Sequence, residues 1–201
     1  MRMRLGLILA LTALTALSAG AGLSARASDH KPRDSHEIFD EQSGNTLLVV
    51  PKPLVFARER TDVAAHERDY ATLVAVEIDQ SGTYNDYLLL YRWSTVDRRM
   101  SPPPDPQEGE LRILADGRAI DLKPLEKVPV GLSRRRELHM PEHGDVVAHA
   151  YPIDVATLRF IAASRELAVR MPQESLDAPF SIWEDGRSAL GRFLERAGAA
   201  P

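Results

Sequence analysis

The chain has 201 residues, no cysteine, 25 Lys+Arg against 29 Asp+Glu, and 44% hydrophobic residues. The missing cysteine excludes disulfide staples, thiol catalysis, a thiolate metal site and a lipidated N-terminal Cys, so any exported form is held by its apolar core. The acidic balance argues against nucleic acid or an anionic membrane surface as a partner.

Arg2 and Arg4 precede an apolar run from Leu5 to Leu23, and Ala25-Arg26-Ala27 follows. That pattern predicts a secretory signal over residues 1–27, cut after Ala27. The run has 19 residues, so an uncleaved membrane anchor is the alternative. Cleavage would leave 174 residues carrying 22 basic and 29 acidic side chains, enough for one domain with no stable membrane insertion. The Arg-started, Ala-rich leader points to a bacterial protein exported to the periplasm or beyond.

Residues 28–45 are polar and charged, with only Ile38 and Phe39 as sizeable apolar side chains, and predict a flexible tail. A single domain then spans 46–198. Thr46 to Val50 and Leu54 to Phe56 are β-rich runs separated by Pro51-Lys52-Pro53, which predicts a kinked or edge pair of strands. Arg58 to Asp69 is highly charged and fits a loop or an exposed helical turn.

Tyr70 to Thr95 contains two apolar runs around a Gly-containing turn at Gln80 to Thr83, a hairpin signature. Val74, Val76 and Ile78 share one face while Leu73 and Ala75 share the other, as in a central strand covered on both sides. Tyr84, Tyr87, Tyr91 and Trp93 could floor a binding groove, but their strand spacing favours core and cross-strand packing. Asp97 to Glu110 carries four prolines, at 102, 103, 104 and 106, and predicts a semi-rigid spacer.

Asp116-Gly117 between Leu111–Leu114 and Ala119–Leu122 predicts a second hairpin. Lys123 to Gly144 is long and irregular, which marks it as functional or as hiding a short strand around Val128 to Leu132. Asp145 to Tyr151 predicts a strand and Asp154 an N-cap, with Ile153 and Leu158 as a hydrophobic staple. A strand returns at Leu167 to Met171. Ser181 and Glu184 fit a capping box for a C-terminal helix with apolar residues at 182, 183, 189, 190, 193 and 194, ended by Gly198.

These elements predict an α+β domain: a mostly antiparallel sheet of about eight strands with two helices packed on it. A β-sandwich with appended helices is the alternative. Two clusters are candidate sites. Arg134, Arg135 and Arg136 form the densest positive charge and could grip an anionic partner. His139, His143 and His149, among Glu142 and Asp145, carry ligand types that Zn²⁺ takes, but Pro141 and Gly144 break the helix that would align the first two.

No nucleophile elbow, dinucleotide fingerprint or P-loop occurs, so no cofactor is implied. The leading expectation is a non-catalytic exported accessory or binding domain that engages a protein or an anionic envelope component. The alternatives are a small exported hydrolase or metalloprotein using the histidines, and an envelope protein held by its leader.

Overall fold

The computed structural model describes residues 36–97, 99, 109–132, 136–142, 146–172 and 178–197, which all lie in one compact unit. The expected leader, the proline spacer from residue 100 to 108, and Gly198 lie outside the described residues. In chain order the strands are β1 (His36–Asp40), β2 (Asn45–Val49), β3 (Leu54–Glu59), β4 (Arg68–Gln80) and β5 (Thr83–Ser94). They continue as β6 (Leu111–Ala115), β7 (Arg118–Leu122), β8 (Val147–Pro152), β9 (Leu167–Arg170) and β10 (Phe180–Glu184). Among the described residues there are two α-helices, α1 (Val155–Ala163) and α2 (Arg187–Ala197).

The β4–β5 hairpin expected from the sequence forms the spine, paired without a break from Asp69 opposite Ser94 to Gln80 opposite Thr83. Ser81 and Gly82 both take positive φ, 55° and 89°, which matches a tight two-residue turn to the strand twist. Gly82 N–H donates to Asp79 Oδ1 at 2.7 Å and fastens it. Every β4 residue from Tyr70 to Ile78 is buried, so both faces are covered. Asp116 and Gly117 likewise have φ of 47° and 78° and close the β6–β7 hairpin.

Pro51-Lys52-Pro53 breaks one line of chain into two strands laid along the same side of β4. Val49 opposes Val76 and Leu54 opposes Leu73, so four residues pass opposite two. The kink is as expected, but neither strand is an edge: β2 also pairs β1, and β3 also pairs β10. The tail expected over 28–45 is corrected from His36 onward. There β1 pairs with β2 and Ile38 stands opposite Leu47, because β2 would otherwise leave its ladder unpaired. A margin strand exposes most of its side chains, so its composition resembles a tail.

The charged stretch after Arg58 is neither loop nor helical turn throughout. β3 and β4 extend into it, and Arg58 pairs with Asp69 at 2.8 Å. Five of the strands follow in the order β3–β10–β9–β6–β7, and β5 and β8 continue the sheet on the far side of β4. All described pairings are antiparallel, and the ten strands form one sheet rather than a sandwich of two. Leu125, just past β7, donates its N–H to Ala150 of β8 at 2.8 Å. Tyr151 of β8 donates its hydroxyl to the carbonyl of Gly109 at 2.5 Å. The sheet therefore curls until its last hairpin returns towards β8.

Helix α1 starts where the sequence puts it: Asp154 accepts the Thr157 N–H at 2.7 Å, and Leu158 and Ile161 are buried. The start of α2 is different. Ser181 to Glu184 is strand β10, paired with β3 and β9, and the helix opens at Arg187. Asp185 Oδ1 accepts the Arg187 N–H at 3.0 Å, and the Gly186 carbonyl takes the first helical bond from Leu190 at 2.9 Å. The expected stripe survives from Ala189 on, with Ala189, Leu190, Phe193, Leu194 and Ala197 buried against the core. Burial of each large side chain there contributes about 1.5–3 kcal/mol before entropy. Among the described residues no helix is long and apolar enough to cross a membrane.

The two faces of the spine are covered differently. The face of Val76 and Ile78 meets the segment after β7, where Gly131 lies against Leu47 and Asp40. That segment forms two 3₁₀ turns, Val130–Leu132 and Arg136–Leu138, in place of the expected short strand. On the opposite face lies α2, whose Arg196 pairs with Glu37 of β1 at 3.3 Å.

Candidate functional site

The face that bears Val74 is apolar and closed in the middle of β4 but opens towards Tyr70. Cross-strand pairing sets Tyr70 opposite Trp93 and Thr72 opposite Tyr91. Trp93 stacks on Tyr70 with centroids 4.0 Å apart and planes 6° from parallel, and its indole N–H donates to Thr72 Oγ1 at 3.3 Å. On the other side of β4, β10 carries a bulge: Ile182 opposes Phe56 and Glu184 opposes Val55, so Trp183 has no residue opposite it. A bulge bends a strand and re-aims one side chain. Here it turns the Trp183 ring edge-on to Tyr70, centroids 6.2 Å apart at 83°, while leaving the residue 52% exposed.

These rings line an open cleft of about 350 Å³ with Pro53, Val55, Thr72, His139, Met140, Pro141 and Glu184. His139 stands at φ 56°, a conformation that costs a non-glycine residue free energy. Its Nε2 lies 2.8 Å from the carbonyl of Val50, the oxygen that the proline break leaves outside the ladder, and this contact holds the turn in place. The strained turn thereby carries Met140 and Pro141 to the wall of the cleft. Arg68 lies 4.8 Å over the Trp183 ring, while Arg58 and Arg60 converge on Asp69, whose register sets it on the face opposite Tyr70, at 2.8 and 3.3 Å. Bonding to Asp62 and the charge of Asp69 raise Arg60 above its ordinary pKa, so it is a fixed cation.

The sequence candidates fall in different places. Arg136 is exposed and 3.5 Å from Glu142, in the loop whose next residues wall the cleft; Arg134 and Arg135 lie outside the described residues. His139 belongs to the cleft wall. His149 is 8% exposed on β8, opposite Leu90 and facing with Tyr151, on the reverse side of the sheet. Burial and the Arg92 charge lower its pKa, and its Nε2 has no hydrogen-bond partner among the described residues. His139 and His149 are thus not brought together, and His143 lies outside the described residues. Among the described residues no group of three or more His, Asp or Glu is placed to hold a metal ion.

Of the aromatics singled out from strand spacing, Trp93 lines the cleft, whereas Tyr91 is 1% exposed, its hydroxyl without a partner among the described residues and its pKa raised by burial. Tyr70 and Trp183 were missed as site residues. Tyr70 sat at the start of a core strand pattern, and Trp183 matched a helical stripe. Compared with family models, curated proteins and solved structures, the chain matches none.

Proposed function

We propose that this protein is an exported bacterial binding domain that engages a saccharide-bearing polymer of the cell envelope through the aromatic cleft. The single observation that carries this is Trp183: a bulge displays it half exposed at the rim of a cleft floored by Tyr70 and Trp93. A large exposed aromatic beside other rings offers a flat apolar platform at low entropic cost, which suits the apolar face of a sugar ring. Thr72, Glu184 and His139 supply polar groups of the kind that fix a ligand's orientation. Export rests on the leader pattern of Arg2, Arg4 and Ala25-Arg26-Ala27. Arg136, the described member of the arginine cluster, stands in the loop whose next residues wall the cleft, and the charge of the three arginines fits an anionic polymer.

Co-sedimentation with purified peptidoglycan, with Trp fluorescence titration by its soluble fragments, tests the proposal. Trp183→Ala is expected to weaken binding at least tenfold, about 1.4 kcal/mol, with the circular dichroism unchanged. Replacing Arg134, Arg135 and Arg136 together with Ala lowers the salt dependence without unfolding the domain. Equal binding by wild type and W183A rejects the cleft. Quenching by a proline-rich peptide and by no saccharide moves the partner to the protein class.

A further inference from the structure

On the reverse face of the sheet, at the other end of β4, lies a second cavity that is independent of the aromatic cleft. We infer that it binds an organic ammonium group, with Glu77 as the central counter-charge.

The cavity, of about 250 Å³, is bordered by Glu37 on β1, Leu48 on β2, Glu77 and Asp79 on β4, Tyr84 on β5 and Arg196 on α2. Glu77 lines it, yet the residue is only 6% exposed, and no hydrogen bond or ion pair to its carboxylate is found among the described residues. A carboxylate buried without a partner is costly and is ordinarily replaced or paired. The neighbours make it worse. Asp86 stands directly across the β4–β5 ladder, one of its carboxylate oxygens is itself buried without a partner among the described residues, and Asp154 at the cap of α1 adds charge to Asp86. Asp79 is spent on the Gly82 N–H, and Arg196 is committed to Glu37 at 3.3 Å.

This arrangement of carboxylates favours a cation. Among the described residues no set of three donors is placed to hold a metal ion, whereas Leu48 and the 40% exposed ring of Tyr84 offer an apolar wall and a π face. An ammonium on an alkyl stem uses both. Burial, then the charges of Asp86 and Asp79, hold the Glu77 carboxyl up to about 7. A bound cation favours the ionised carboxylate, so binding releases a proton, and each pH unit below 7 weakens it roughly tenfold.

The test is calorimetric titration of the full exported chain with 1,5-diaminopentane and, separately, with a short lysine-bearing peptide, each in two buffers of different ionisation heat. Saturable binding of either probe with proton release is expected. Glu77→Gln should lose at least tenfold in affinity, and Glu37→Gln on the exposed rim should lose less while leaving the fold intact. Binding of the diamine alone assigns a free polyamine, and binding of the peptide alone assigns a basic segment of a partner protein. The inference is overturned if neither probe saturates, if E77Q binds like wild type, if affinity is flat between about pH 5.5 and 7.5, or if calcium chloride alone titrates the site.

Discussion

Trp93 lies parallel on Tyr70 across the β4–β5 ladder, rings 4.0 Å apart, and this pair forms the floor against which Trp183 stands edge-on. The two tryptophans therefore separate stability from binding. Trp93→Ala removes a stacked, hydrogen-bonded ring and is expected to cost roughly 1–3 kcal/mol in urea unfolding. Trp183→Ala removes a half-exposed ring and should cost about 1 kcal/mol or less, its larger effect falling on ligand binding. Equal losses in stability would mean that Trp183 serves packing.

Gly186 fits where no other residue can, because an added Cβ would overlap the carbonyl oxygen of Pro53. Gly191, inside α2, has nothing within 4 Å of an added Cβ. Gly186→Ala is expected to destabilise by about 2 kcal/mol or more as the helix start is forced from the proline break. Gly191→Ala should stabilise by up to about 1 kcal/mol through helix propensity. Thermal unfolding of both variants reads the contrast, and equal shifts would dissolve it.

Glu77 makes stability depend on pH in the sense opposite to a salt-bridged acid. Its carboxyl titrates near 7 when folded against 4.5 ordinarily. The folded state therefore binds more protons than the unfolded chain between these values, and stability falls as pH rises from about 4.5 to 7. The penalty is complete above 7 and at most about 3 kcal/mol. Glu77→Gln should flatten that slope and raise the melting temperature at pH 8; a variant with the wild-type slope would place the titration elsewhere.

Asp116 does two jobs at the β6–β7 turn. It holds a positive φ of 47°, and its Oδ1 accepts the N–H groups of Arg165 and Glu166, each at 2.8 Å. Asp116→Ala loses both bonds and strains the turn, with an expected cost of about 1–3 kcal/mol. Asp116→Asn keeps the accepting oxygen and the tolerance for positive φ, so it should recover most of that loss by chemical denaturation.

The central hairpin, the Asp116-Gly117 turn and the Asp154 cap were written in the sequence because each depends on a few neighbouring residues whose dihedral preferences and alternation suffice. Ser181 to Glu184 shows where that ends. As a local pattern it satisfies a helix cap, but β3 presents an unpaired ladder that β10 fills, and only Gly186 can pass the Pro53 carbonyl, so the helix starts later. The polar stretch from His36 became a strand for the same reason, since β2 needed a partner that composition alone does not announce. Both cavities are further still from local reach. Trp183 meets Tyr70 and Trp93 only through a bulge in a strand pairing, and Glu77 meets Glu37 and Arg196 only when α2 crosses the sheet. Such sites are made of residues separated by tens to more than a hundred positions, and no window of sequence carries the distance between them.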